Sequence, residues 1–291
     1  MRRLPACAIA LLLSSGTSLC GFAEQAADDR VKTSTDAGWI RLFDGKSLDG
    51  WYTYLQKHKK NEDPAKVFQV HDGVIHVYKD QADGGDVPVG YLASDSEYAY
   101  CHLRLEYKWG NKKFPPRAQQ RRDAGLLYHV VGADMVWPRC IECQIQENDT
   151  GDCFTVRGTQ VATSVEIVNV ETPSGPKELP RYKPEADDGV RKTVGDGQIA
   201  RIVKSSTHER DGWNKVEAIV RGSDGTVHIV NGHLVFEATD LRQLGRGNKS
   251  WEPLTHGRIA LQAEYAEVFY RNIEIRLIPE GPLYPTNKGI Q

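Results

Sequence analysis

The sequence predicts an all-β sandwich, and three observations predict it. Nearly every periodic segment has period two, turn residues punctuate those segments at short intervals, and helical periodicity is scarce. Side chains alternate across a strand, so a run that alternates apolar and polar residues buries one face and wets the other. In "YAYCHLRLEYKW", Cys101, Leu103, Leu105 and Tyr107 alternate with His102, Arg104, Glu106 and Lys108. Next, "GLLYHV" sets Gly125, Leu127 and His129 against Leu126, Tyr128 and Val130. In "CIECQIQE", Ile141, Cys143 and Ile145 belong to the core face and Glu142, Gln144 and Gln146 to the opposite one. The long stretch 172–197, rich in Pro, Gly and charge, reads as a surface excursion. Strand patterns resume at "WNKVEAIVRG", where Val216, Ala218 and Val220 share a face. In "TVHIVNGHLVFEA", Asn231 and Gly232 join two β-rich runs and give the strongest two-residue hairpin signal, because both positions tolerate positive φ. Thr239 to Leu244 reads as a short helical turn or loop. The closing "GRIALQAEYAEVFYRNIEIRLI" offers Ile259 and Leu261, then Ile273, Ile275 and Leu277, as apolar faces.

The N-terminus has the layout of a secretory signal: Arg2 and Arg3, the apolar "ACAIALLL", then small residues and "GFAEQ". Residues 1–23 are therefore expected to be a signal peptide, 24–36 a flexible segment, 37–280 one β domain and 281–291 a tail. The product is expected to be periplasmic or secreted. Thr17 stands three residues before Cys20, where a lipoprotein signal wants Leu. No later apolar run reaches the ~18 residues that a membrane span needs. The formal net charge is −2 with both signs interleaved, which excludes the basic stripe of a nucleic-acid binder.

Beyond the signal lie Cys101, Cys140, Cys143 and Cys153. Cys140 and Cys143 fall on opposite faces of a strand, which leaves Cys140 with Cys153 as the first expected disulfide. A zinc site would need a second ligand pair, and Cys153 with His129 does not supply standard spacing.

One carboxylate and two amides in a row, Glu142, Gln144 and Gln146, can hydrogen-bond the hydroxyls of a small carbohydrate. The alternative is the ordinary wet face of an antiparallel sheet, which more often carries Lys, Thr and Ser. His129, in a mostly apolar strand, is either a structural histidine or a catalytic base facing a carboxylate. Gln262 and Glu264 have the parity to join the same cleft, or another solvated face. Trp137 precedes Pro138, so it sits in an extended loop at the mouth of the Glu142 strand, where its ring either stacks on a sugar or packs in the core. No spacing demands a cofactor, although cleft carboxylates and a histidine could hold a divalent cation that polarises a ketone.

The phrases "FDGKSLDGW" and "HDGVIHV", the hairpin "VHIVNGHLV" and the ending "GRIALQAEYAEVFYRNIEI" resemble the 3-keto-disaccharide hydrolase family over about residues 37–278. The resemblance implies a concanavalin-like jelly roll of two curved antiparallel sheets, with the Glu142 strand at the cleft and glycosides oxidised at C3 as substrates. Glu142 and His129 are then the expected catalytic residues, and Gln144, Gln146, Trp137, Gln262 and Glu264 the expected substrate contacts. Where many members read approximately "NSGI" and "QDHG", this chain reads "DAGLLYHV" and Gln262, Ala263, Glu264, Tyr265. The spacing Glu142, Gln144, Glu147 also echoes laminarinase-type glycoside hydrolases of the same fold, with Gln144 in place of the central acid. A noncatalytic lectin-like domain would fit the same polar face.

Overall fold

Alternation along the chain becomes two antiparallel sheets packed face to face. The computed structural model describes residues 34–35, 38–172 and 175–281. The expected signal peptide and most of the expected flexible segment and tail lie outside them. The larger sheet has thirteen strands, and its central path runs from Ser34–Thr35 through Trp39–Arg41, Ala266–Leu277, Tyr100–Lys113, Asn214–Arg221, Gly225–Val230, His233–Leu244 and Thr159–Thr172 to Gly175–Tyr182. Seven strands form the other, in the order Ile199–Ile202, Cys153–Val156, Arg139–Gln146, Asp123–Val131, Gly257–Ala263, Gly90–Tyr98 and Trp51–Leu55. Hairpin neighbours pair within each sheet, and between them the chain crosses from one sheet to the other repeatedly, as in a jelly roll.

The core lies between the sheets. Ile141, Cys143, Ile145, Ile259 and Leu261 enter it from the smaller sheet, and Leu103, Leu105, Val216, Ala218, Ile273 and Ile275 from the larger. Leu277 does not join them; at the strand end it is 61% exposed. The Asn231-Gly232 turn closes a two-residue hairpin, with Val230 opposite His233 and φ of 49° and 85° at the two turn residues. Trp51 is buried in the core, where its indole N–H donates to the Leu42 carbonyl at 2.7 Å.

Two stretches differ from the sequence reading. Thr239–Leu244 continues the His233–Leu244 strand, held by Thr159–Thr172 on one side and Trp251–Pro253 on the other. Within 172–197, Gly175–Tyr182 and Val190–Val194 both pair with the long Thr159–Thr172 strand. These strands are wet on both faces, so their composition carries no alternation to read. The cysteines also differ: all four are buried and free. Cys153 lies opposite Cys143, while Cys140 lies opposite Val156 on the other face of the sheet. Parity therefore separates Cys140 from Cys153, which rules out the expected bridge.

Candidate active site

The face of the smaller sheet turned away from the core forms a cleft of about 760 Å³. Its polar half is built by three neighbouring strands. Arg139–Gln146 contributes Glu142, Gln144 and Gln146, Asp123–Val131 contributes Asp123 and Gly125, and Gly257–Ala263 contributes Gln262. Glu264 follows immediately, in a backbone bridge to Asp123. Leu127, Cys140, Val156, Phe154 and Trp137 make the apolar half. Sequence parity thus places Glu142, Gln144, Gln146, Gln262 and Glu264 on one surface, and Trp137 lines it from its loop.

His129 is not in the cleft. Its φ of 50° and the register shift between Tyr128 and Val131 break the alternation that would have carried it there. The ring is buried elsewhere, with Nε2 3.0 Å from the Gly222 carbonyl oxygen, and burial pushes its pKa down to about 4. It is a neutral structural histidine that donates to a backbone carbonyl. Glu147 also lies outside, paired with Arg122 at 2.7 Å, so the Glu142, Gln144, Glu147 echo does not converge on one point.

Two residues absent from the sequence reading organise the site. Asp123 accepts from Gln144 Nε2 at 3.0 Å and from Gln146 Nε2 at 2.6 Å. Arg117 reaches in from the 114–122 loop and bonds both Asp123 and Glu264. Asp123 was readable by parity, two positions before Gly125. Arg117 was not, because only tertiary folding brings its loop over the sheet.

Asp123 and Glu264 therefore share one guanidinium, with the Glu142 carboxyl buried in the same cleft. Burial raises the pKa of Asp123 to about 6, against the opposing pull of Arg117 and the Gln146 amide. Burial and the Asp123 charge raise Glu264 to about 8 despite Arg117. Glu142 is pushed well above the carboxylate range by burial, then by Glu264 and Asp123. Asp123 and Glu264 both bond Arg117, but Asp123 also accepts from Gln146 and its charge raises Glu264, while Glu142 has no bond to Arg117 and keeps its proton.

Gly125 sets the depth of the floor. A Cβ there would stand 2.2 Å from Glu142 Oε1 and 2.3 Å from Gln262 Oε1, so the missing side chain lets both tips lie over the strand. The Gln262 backbone is fixed from below, where Tyr270 donates to its main-chain carbonyl at 3.0 Å. Gln144 Oε1 and Gln262 Oε1 are buried and have no hydrogen-bond partner among the described residues. Buried acceptors of this kind are costly unless something donates to them, and sugar hydroxyls would. As a divalent-cation site the cluster fits poorly, because the Arg117 guanidinium already occupies the position between Asp123 and Glu264. No group of three His, Cys, Asp or Glu among the described residues is arranged to hold a metal ion, nor is any described helix long and apolar enough to cross a membrane.

The family model described as the 3-keto-alpha-glucoside-1,2-lyase-like domain matches residues 38–276. Among solved structures, a protein of Parabacteroides distasonis described as a "putative glycosyl hydrolase" is 20% identical, covering 83% of this chain and 94% of its own, with a TM-score of 0.48. A second from that organism, under the same description, is 18% identical over 82% of this chain and 99% of its own, also with a TM-score of 0.48. A β-glucanase of Bacillus licheniformis is 11% identical over 79% of this chain and 94% of its own, with a TM-score of 0.38. No curated protein matches.

Proposed function

Because the chain belongs to the 3-keto-alpha-glucoside-1,2-lyase-like family, we propose that it is an enzyme that cleaves 3-keto glycosides by β-elimination. Membership makes it a carbohydrate-active protein; the reaction is our own reading. A ketone at C3 acidifies the hydrogen at C2, since loss of that proton gives an enolate. The enolate electrons then form the C1–C2 double bond while the glycosidic oxygen leaves C1 with its bonding pair and takes a proton. Water adding at C1, with a proton returned to C2, completes a net hydrolysis.

The observation that carries this proposal is the meeting of three buried carboxyls, Glu142, Asp123 and Glu264, with Arg117, Gln144 and Gln146 in one cleft, where burial and their neighbours set their pKa values apart. Elimination needs a base near C2, an acid for the leaving oxygen and donors for the enolate. Glu264, with its pKa near 8, is the base in its ionised form. Glu142, which keeps its proton, is the acid. Asp123 is already saturated by Arg117, Gln144 and Gln146, so it positions the amides and the guanidinium. The free Gln144 and Gln262 oxygens receive sugar hydroxyls. This assignment moves the base from His129 and Glu142 to Glu264. A retaining glycosidase would use such a pair of carboxyls as acid and nucleophile, so the fate of the C2 hydrogen, which only elimination exchanges, separates the two reactions.

The test is turnover in deuterated water with paired plain and 3-keto glycosides. Deuterium at C2 of the released 3-keto sugar, with no cleavage of the plain glycoside, is the expected outcome. Efficient cleavage of a plain glucan without exchange would establish the laminarinase-type reaction instead. Sugar binding without any turnover would establish a lectin-like module. We also propose export to the periplasm or beyond, on the signal-like layout of residues 1–23; N-terminal sequencing of the purified product tests it.

A further inference from the structure

The cleft does not stop at Phe154. Across the sheet from Glu142 come Phe154, directly opposite on the neighbouring strand, and then Arg201, opposite Phe154 on the edge strand. With strands about 4.8 Å apart, the edge lies roughly 10 Å from the carboxyls. Beyond it a second hollow of about 330 Å³ opens, sharing Phe154, Ile199 and Arg201 with the main cleft. Its far wall comes from the opposite sheet. Val203 donates its N–H to the Pro180 carbonyl at 2.8 Å, which draws the Gly175–Tyr182 strand against the sheet edge and brings Leu179 beside Ile199 in the same hollow.

We propose that this hollow is the subsite for the group leaving C1, and that it selects a flat apolar aglycone, as in an aryl glycoside, over a second sugar. The inference rests on the elimination reading for the location of C1. A sugar ring seated over Gly125, Glu142 and Gln262 directs its C1 substituent either along the strands or across them, and the cleft is continuous across them. The two ends are built from different chemistry. The carboxyl end carries amides and acids with free acceptors, whereas the hollow is mostly apolar, with Phe154, Leu179, Pro180, Val194 and Ile199 outnumbering Thr172 and Lys177. Hydroxyls of a second sugar would lose water there for few partners, since Arg201 is held by Asp152 and the Thr172 hydroxyl donates to the Gly175 carbonyl, which leaves Lys177. An aromatic ring would lose nothing and would stack on Phe154.

Charge points the same way. Arg201 stands at the junction but is committed: Nε and Nη2 bond Asp152 at 2.7 and 2.6 Å, and Nη2 also meets Asp149 at 3.0 Å. Lys204 bonds the same Asp152 at 3.3 Å. Arg121 also meets Asp149 at 2.8 Å, so three cations share these two carboxylates and the Arg201 guanidinium is held by both of them. Ile199 is 52% exposed at the edge strand, a large apolar surface left open at the junction of cleft and hollow.

The experiment measures binding, so that it does not depend on turnover. Calorimetric titration of the full chain with unoxidised phenyl glucoside, methyl glucoside and a glucosyl disaccharide should give a Kd at least about tenfold lower for the phenyl compound, which one buried aromatic contact supplies. Ile199→Asp should bring the phenyl-to-methyl ratio close to one, and because Ile199 is exposed the variant folds. Glu142→Gln should keep the ratio, since it alters only the other end. A disaccharide that binds as tightly as the phenyl glucoside, equal binding or no binding of phenyl and methyl glucosides, or a ratio unchanged by Ile199→Asp would each overturn the proposal. Absence of C2 exchange would instead overturn the elimination reading and leave the aryl preference standing or falling on its own ratio.

Discussion

At the cleft floor, Glu142 is a carboxyl that the fold keeps protonated by burying it beside two other acids without a bond to Arg117. Glutamine reproduces the shape and neutrality of the protonated acid but cannot donate that proton to a leaving oxygen. Glu142→Gln should therefore lower kcat by about 100-fold or more while Tm stays level or rises. A variant as active as the native chain would remove Glu142 from the chemistry. The same charge ledger fixes a stability prediction for Arg117. The folded pKa values of Asp123 and Glu264 lie above their ordinary values of 3.8 and 4.5, at about 6 and about 8. Raised acids cost stability as pH climbs from the unfolded pKa to the folded one, because the unfolded chain ionises first. Arg117 limits that cost, so Arg117→Met should change little near pH 4 and should destabilise by about 3 kcal/mol near pH 8, where it leaves buried charges without a partner. Thermal unfolding at both pH values checks it; an equal loss at each would mean that Arg117 serves packing alone. Activity should rise with pH through about 8 as Glu264 ionises, and a kcat/KM profile that rises only near 4 would exclude Glu264 as the base.

At the scale of single strands, what was legible was whatever obeyed strict alternation. The Glu142 strand keeps period two from Cys140 to Gln146, so one glance at its parity separates Ile141, Cys143 and Ile145 in the core from Glu142, Gln144 and Gln146 in the cleft. The neighbouring strand obeys it only as far as Tyr128; the left-handed turn of backbone at His129 then carries that side chain away, and nothing in "GLLYHV" announces the bulge. Strands wet on both faces, such as Gly175–Tyr182, were invisible for the opposite reason. They have no buried side, hence no pattern. Arg117 lay beyond reach because a loop residue has no parity at all. Gly125 does obey parity, and its role appears only with the side chains in place. Gly125→Ala should lift Glu142 and Gln262 out of their seats, since its Cβ would stand within 2.3 Å of both. The expected result is a loss of about 1–3 kcal/mol from overpacking, together with a fall in kcat/KM of tenfold or more. Full activity in this variant would mean that the two tips need not rest on the floor.

The whole domain is a site mounted on a core, since the cleft-lining strands of the smaller sheet present their inner face to the sandwich and their outer face to the cleft. Rigidity of the second therefore depends on closure of the first, and the cysteines report on both. Cys101, Cys143 and Cys153 lie in the core between the sheets, while Cys140 belongs to the cleft-side layer with Leu127, Val156 and Ala260. Burial raises every one of these thiols, Cys101 to about 12 and the other three far above the usual range. A thiol that is both inaccessible and protonated reacts with disulfide reagents only after unfolding. If core and cleft layers open together, as in a cooperative domain, all four should become labelled over one denaturant range, coincident with loss of near-ultraviolet circular dichroism and mapped by peptide mass spectrometry. Labelling of Cys140 at lower denaturant than Cys143 would show that the cleft layer loosens first. In that case the depth of the floor at Gly125 would be set by local packing around Leu127 and Val156 instead of by the sandwich as a whole.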